Sequence, residues 1–245
     1  MNKNKAKAPS FGGAFKIGRN PVACDAIDCA KHTEVIMKAF IFDLDGVLVS
    51  TDKYHYEAWK KIADEEGIYF DEKINDRLRG VSRMASLEII LEKADKKYSE
   101  EEKIALATRK NDLYRGLLKN LAPSDRLEGV TETLEKLREK GYLLAIGSSS
   151  RNTPVILEKI GYGGYFDAVS DGNNITKSKP DPEVFDKAAE MLSLPPKECF
   201  VVEDSVAGID AAKAGGFKAI GIGGAANYPK TDYPIKTMTD ILKLI

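Results

Sequence analysis

A doubly wound, Rossmann-like parallel α/β sheet with a helical cap domain inserted after its first strand is the fold this sequence predicts. Three observations lead there. "KAFIFD", Lys38 to Asp43, is a short apolar run that stops at a turn signal, as a strand buried on both faces does. The stretch 51–121 that follows is almost wholly helical in pattern. After Pro123, short apolar runs alternate with helical ones, and strands separated by helices pair in parallel.

The elements follow in order. Tyr56, Trp59 and Ala63 share one helical face, and Met84, Leu87, Leu91 and Ala94 share another, each spaced by three or four. Ser99, with Glu102 three residues on, opens a further helix through a capping box. Val130, Leu134 and Leu137 line a helix that Gly141 ends, and "YLLAIGS" follows as a strand. A helix over 153–160, the short strand "FDAVS" and a helix from about Pro182 to Leu192 come next. "CFVVED", a helix from Ser205 to Ala214 and the strand "KAIGI" complete the alternation. The division is a core of residues 37–50 and 122–245, a cap of 51–121, and an N-terminal extension of 1–36 outside the catalytic unit.

The 245 residues, 43% hydrophobic and 31% charged, suit a globular protein with a substantial core. Lys plus Arg number 37 against 38 Asp plus Glu, so no basic excess points to nucleic acid or an anionic membrane surface. No apolar run reaches the length that spans a bilayer. Three cysteines, Cys24, Cys29 and Cys199, make no disulfide framework and suit a reducing cytoplasm. Cys24, Cys29 and His32 lack the spacing of common zinc modules. The extension holds no apolar stretch of the secretory kind, and an organellar transit peptide is weakly supported by its Arg and Ser content.

In an open parallel sheet, ligands bind beyond the carboxyl ends of the strands. The first strand ends in Asp43 and Asp45, "YLLAIGS" in Ser148 with Ser149 and Ser150 beyond, and "CFVVED" in Glu203 and Asp204. The "SKPDP" turn adds Lys179 before a helix. Singly, each has an ordinary reading: "DLDG" and "SKPDP" as turns, Ser148 as a cap, Glu203 and Asp204 as acids at a helix start. Together they suit phosphoryl transfer. A carboxylate attacks phosphorus only if cations screen the approach, and Mg²⁺ takes a few carboxylates plus substrate phosphate. Asp43 can then act as nucleophile, Asp45 as general acid and base, and Ser148 and Lys179 can hold phosphoryl oxygens. Metal candidates are Asp43, Asp45, Glu203 and Asp204.

"DLDGV", "GSSS", "SKPDP" and "VVEDS", in this order, make the chain resemble the haloacid dehalogenase superfamily over about residues 37 to 225. That resemblance implies a core sheet, a mobile cap, Mg²⁺ and an Asp43 phosphoenzyme. "RLRGVSR", "TRKND", "SSSRN" and "DKYHYEAWK" further resemble sugar phosphomutases of that superfamily, which interconvert β-D-glucose 1-phosphate and glucose 6-phosphate through a 1,6-bisphosphate. The resemblance casts Arg83 as anchor of the distal phosphate, helped by Arg151 and Asn152. His55 would orient the cap hinge and Asp45, with Thr51 near the hinge. Trp59 would line the cleft, Lys110 and Asn111 would face it, and Arg79, Gly80, Val81, Ser82 and Arg83 would form the specificity loop. Arg79 and Arg151 stand where lysine is common, which keeps charge but changes geometry. Without the resemblance, Arg79, Arg83 and Lys110 also read as solvated helix-face charges, Trp59 as cap core, and His55 as a packed or exposed helix residue. The implied enzyme is a monomer acting on small sugar phosphates. The alternatives are a sugar-phosphate phosphatase with the same residues and a non-enzymatic phospho-ligand module, against which both Asp43 and Asp45 stand.

Overall fold

The computed structural model describes residues 38–78 and 81–245. The six-stranded sheet runs in the order β3-β2-β1-β4-β5-β6, every neighbouring pair parallel. Its strands are β1 (Ala39–Phe42), β2 (Leu143–Gly147), β3 (Ala168–Ser170), β4 (Cys199–Glu203), β5 (Lys218–Gly221) and β6 (Tyr233–Pro234). β1 lies at the centre, Ala39 opposite both Leu143 and Cys199. The strand β6 is an addition to the sequence reading. Two residues carry no period, and Pro234 is tolerated because β6 is an edge strand.

Period-two alternation in β1 builds two core layers. Phe40 and Phe42 pack on one face with Leu134, Leu137 and Ile241, while Ala39 and Ile41 pack on the other with Phe185, Ile209 and Phe217. The first layer includes α5 (Val130–Glu139), and the second includes α7 (Glu183–Met191) and α8 (Val206–Ala214). The helix α6 (Thr153–Lys159) connects β2 to β3.

Between β1 and α5 lie α1 (Asp52–Glu65), α2 (Glu72–Asp76), α3 (Arg83–Leu91) and α4 (Glu100–Leu117). They bury a third apolar cluster of their own, with Trp59, Ile62, Phe70, Leu87, Ile90 and Leu106 at its centre. The Ser99–Glu102 capping box opens α4 as the spacing predicts, and the Ser82 hydroxyl caps α3 by accepting from the Ala85 N–H at 3.2 Å. The apolar face of α3 differs from expectation. The helix starts only at Arg83, so Met84 sits in its first turn, exposed, and Leu87 and Ile90 carry the burial. Tyr114 of α4 and Tyr54 and Ala58 of α1 pack into the sheet's core instead, joining the helical segment to it. Among the described residues no helix is long and apolar enough to cross a membrane.

Candidate active site

Connections leave β1 and β4 in opposite directions, so the crevice beyond their carboxyl ends is the natural ligand site. The Asp43 N–H donates to the Val202 carbonyl (2.9 Å), which pins the residue after β1 against the end of β4. Asp43 is almost fully buried, and its Oδ1 accepts from Lys179 Nζ at 2.5 Å. The same ammonium donates to Glu203 Oε1. Glu203 Oε2 accepts from the Ser205 N–H (3.0 Å) and hydroxyl (2.9 Å), and the Ser205 hydroxyl also caps α8. Glu203 thus anchors Lys179 through Oε1 while Ser205 holds its Oε2.

Two glycines make room for these acids. Gly46, at φ +83°, has the Asp204 carboxylate lying where a Cβ would stand, and Gly208 likewise accommodates the Glu203 carboxylate. Asp204 is thereby folded back over the turn that carries Asp43 and Asp45. Burial, then the neighbouring Glu203, Asp43 and Asp45, push the Asp204 carboxyl up to about 8. Burial raises Asp43 to about 7 against the pull of Lys179. Burial also opposes the Lys179 charge, but Asp43 and Glu203 outweigh it and hold the ammonium above the ordinary lysine range.

β2 ends at Gly147, which delivers Ser148 to the same rim, its N–H donating to the Ser170 carbonyl (3.1 Å). The Ser150 N–H donates to Ser148 Oγ at 3.2 Å, which tightens the loop. Ser149 Oγ is buried with no hydrogen-bond partner among the described residues. Arg151 donates from Nε to the Gly172 carbonyl (3.1 Å).

The helical segment supplies the other wall. Asp45 is held by Thr51, whose N–H donates to Oδ1 at 2.7 Å and whose hydroxyl donates to Oδ2. Burial pushes the Asp45 carboxyl up to about 6, against these two bonds. His55 Nε2 lies 3.7 Å from Asp45 Oδ2, and its Nδ1 lies 2.7 Å from Lys110 Nζ. When Lys110 carries its proton the ammonium can only donate, so Nδ1 then accepts and Nε2 carries the ring proton towards Asp45. Burial, then the Lys110 and Arg83 charges, depress His55 well below its usual value. Lys110 itself, buried and beside Arg83, falls to about 7, and its Nζ sits 5.0 Å from the Trp59 ring centroid and 4.6 Å from that of Tyr114. Arg83 Nη2 (2.6 Å) and Asn152 Nδ2 (3.1 Å) both donate to Asn111 Oδ1, linking α3 and α4 to the loop after β2.

Every described residue expected at the site lines one cavity of about 540 Å³, except Thr51, which is buried behind it. Arg79, Gly80, Cys24, Cys29 and His32 lie outside the described residues. Trp59 serves both readings, 2% exposed in the helical core yet lining the cavity. Tyr114 is the residue that sequence reasoning missed. Its OH lies 2.8 Å from Thr51 Oγ1 and its ring centroid 4.1 Å from that of His55. The available signal was its place one helical turn after Lys110, on the same face.

Among the described residues no three His, Cys, Asp or Glu side chains are arranged to hold a metal ion as they stand. The cause is local. Lys179 occupies Asp43 Oδ1, Thr51 engages Asp45, and Ser205 and Lys179 take Glu203. Of the four carboxylates expected as ligands, Glu203 shares its oxygens with Lys179 and Ser205, while Asp43 Oδ2 and the Asp204 carboxylate accept no hydrogen bond among the described residues. Four buried or half-buried acids, three of them pushed up to about 7, about 6 and about 8, gather around Lys179 and Lys110 and form an oxygen donor set in excess of its counter-charge. That set fits a hard divalent cation.

The haloacid dehalogenase-like hydrolase family matches residues 37–216. The chain belongs to that family. It is 42% identical over 207 residues to the β-phosphoglucomutase of Bacillus subtilis, covering 84% of this chain and 92% of that one. It is 33% identical over 187 residues to a phosphorylated carbohydrates phosphatase of Thermotoga maritima, covering 75% and 84%. The crystal structure of β-phosphoglucomutase from Clostridium difficile superposes with a TM-score of 0.79 at 37% identity, covering 84% of this chain and 93% of that one. Around this cavity the strand-end acids and Ser148 follow strands of the sheet, Lys179 lies in the connection between β3 and α7, and Arg83, Lys110 and Asn111 stand on the inserted helices.

Proposed function

We propose that the protein is a β-phosphoglucomutase, interconverting β-D-glucose 1-phosphate and glucose 6-phosphate through β-glucose 1,6-bisphosphate. The observation that carries this reading is one cavity with two separate cationic stations. Lys179 stands beside Asp43, and Arg83 stands with Asn111 and Asn152. A phosphatase acting on a monoester needs only the first, whereas a bisphosphate that turns end for end fills both.

The cycle starts from phospho-Asp43. The C6 hydroxyl of β-glucose 1-phosphate attacks phosphorus, Asp45 takes its proton, and the bond to Asp43 breaks, restoring the carboxylate. After the bisphosphate turns, Asp43 attacks the C1 phosphate and Asp45 returns its proton to the departing C1 oxygen. Glucose 6-phosphate leaves, and phospho-Asp43 is regenerated. Ser148 and Lys179 hold the moving phosphoryl oxygens. Arg83, Arg151 and Asn152 grip the distal phosphate. His55 and Lys110 bias Asp45, Trp59 lines the sugar side, and Ser149 lies against the phosphoryl loop. Residues 51–121 act as the cap, with Thr51 at its hinge and Arg79, Gly80, Val81 and Ser82 forming the specificity loop. Asp43 and Asp204 would hold Mg²⁺, which supplies the charge screening that lets a carboxylate approach a phosphate. The enzyme works as a monomer in a reducing cytoplasm, which its three cysteines suit.

The test is incubation with Mg²⁺, β-glucose 1-phosphate and a trace of β-glucose 1,6-bisphosphate, following glucose 6-phosphate and free phosphate together. Glucose 6-phosphate with little phosphate is expected. Glucose and phosphate instead would make the protein a phosphatase.

A further inference from the structure

Asp45 does not stand alone against Thr51. The Thr51 hydroxyl has one proton, and it points at Asp45 Oδ2. A carboxylate offers only acceptors, so the hydroxyl must receive its own second bond as an acceptor. The partner on that side is the Tyr114 OH at 2.8 Å, which therefore donates. The result is a directed chain, Tyr114 OH to Thr51 Oγ1 to Asp45 Oδ2, in which each bond polarises the next. Tyr114 is 1% exposed, and Thr51 is fully buried, so water does not replace either link.

Tyr114 is also the point where this chain meets the rest of the helical wall. Its ring lies 4.1 Å from the His55 ring and 4.6 Å from Lys110 Nζ, centroid distances in both cases. Yet Tyr114 packs in the apolar layer of the sheet rather than with the core of the inserted helices. A side chain fixed in the sheet's core thus aims the hydroxyl that holds the acid.

We infer that Tyr114 is a positioning residue for phosphoryl transfer, fixing through the Thr51 hydroxyl the orientation in which Asp45 delivers a proton to the leaving sugar oxygen. The inference rests on the proposed roles of Asp43 and Asp45. In the step concerned, Asp43 Oδ forms a bond to phosphorus, the bond from phosphorus to the sugar oxygen breaks, and the Asp45 proton passes to that oxygen. A leaving group that departs as a stable anion does not need this proton. Acetyl phosphate is such a donor, since acetate leaves unprotonated, whereas β-glucose 1,6-bisphosphate loses an alkoxide that does need it.

The experiment compares single-turnover phosphorylation of Asp43 by these two donors, with Mg²⁺, in the full chain and in Tyr114→Phe. The substitution keeps the ring and its packing and removes only the hydroxyl. Phosphorylation by the bisphosphate is expected to slow by about tenfold or more, the low end of what proton transfer contributes, while the acetyl phosphate rate stays within about twofold. Thr51→Val serves as the second variant. Because the chain is already broken, Tyr114→Phe combined with Thr51→Val is expected to be no slower than Thr51→Val alone. Equal slowing with both donors would make Tyr114 a structural residue and overturn the inference, and so would a variant indistinguishable from the unmodified chain. An unmodified chain phosphorylated by neither donor would overturn the functional reading and this inference with it.

Discussion

Gly46 isolates a single contact. Its φ of +83° and the Asp204 carboxylate at its Cα leave no place for a side chain. Gly46→Ala must displace Asp204 and adopt a left-handed backbone that costs about 1–2 kcal/mol. The expected result is a fold retained with a lowered Tm and a Mg²⁺ requirement raised about tenfold or more, read from activity against Mg²⁺ concentration. An unchanged Mg²⁺ titration would remove Asp204 from the metal site. Asp43→Asn is the complementary change. It removes the proposed nucleophile but leaves Lys179 its second partner, Glu203. Turnover should vanish while the Tm holds within a few degrees, and residual turnover above about a thousandth would assign the nucleophile elsewhere. These residues were legible because strand ends advertise them: an acid directly after an apolar run has few structural uses. Tyr114 was not, since an aromatic on an apolar helical face reads as core, and core is half of what it is.

Elements bring together what the chain separates. Arg83 starts α3, Asn111 lies in α4, and Asn152 immediately precedes α6, yet one amide oxygen joins all three. Arg83→Ala takes away the guanidinium but not the strand-end chemistry. Mutase turnover should fall about 10- to 100-fold, in line with one or two charge-assisted hydrogen bonds. Hydrolysis of acetyl phosphate, which has no distal phosphate, should change by less than about threefold. Equal losses would show that Arg83 supports the fold rather than the second anion. At this scale the sequence reading was sound wherever periodicity ran long, as in α1, α4 and α5. It departed from the structure at two elements. β6 has two residues, and α3 starts late enough to put Met84 on the rim. Periodicity needs several turns or alternations before it says which face is buried.

For the molecule as a whole, the carboxylate cluster ties stability to pH and to metal together. Asp43 and Asp204 ordinarily titrate near 3.8, and in the folded protein they are raised to about 7 and about 8. Between those values and 3.8 the folded state binds more protons than the unfolded one. The stability these two groups contribute is therefore complete below about pH 4 and is lost as pH rises through about 7 to 8. A divalent cation that bound the deprotonated acids only in the folded chain would restore stability where the protons have left. Without metal, the Tm should fall between about pH 5 and pH 8.5, and saturating Mg²⁺ should raise it more at pH 8.5 than at pH 5. Other groups titrate in this range too, so Asp204→Asn supplies the comparison. Removing one of these raised acids should flatten the metal-free slope and shrink the Mg²⁺ increment together. A metal-free Tm that does not fall with pH would contradict the raising of these acids by burial and by one another. A Mg²⁺ increment that survives Asp204→Asn unchanged would place the cation elsewhere in the molecule.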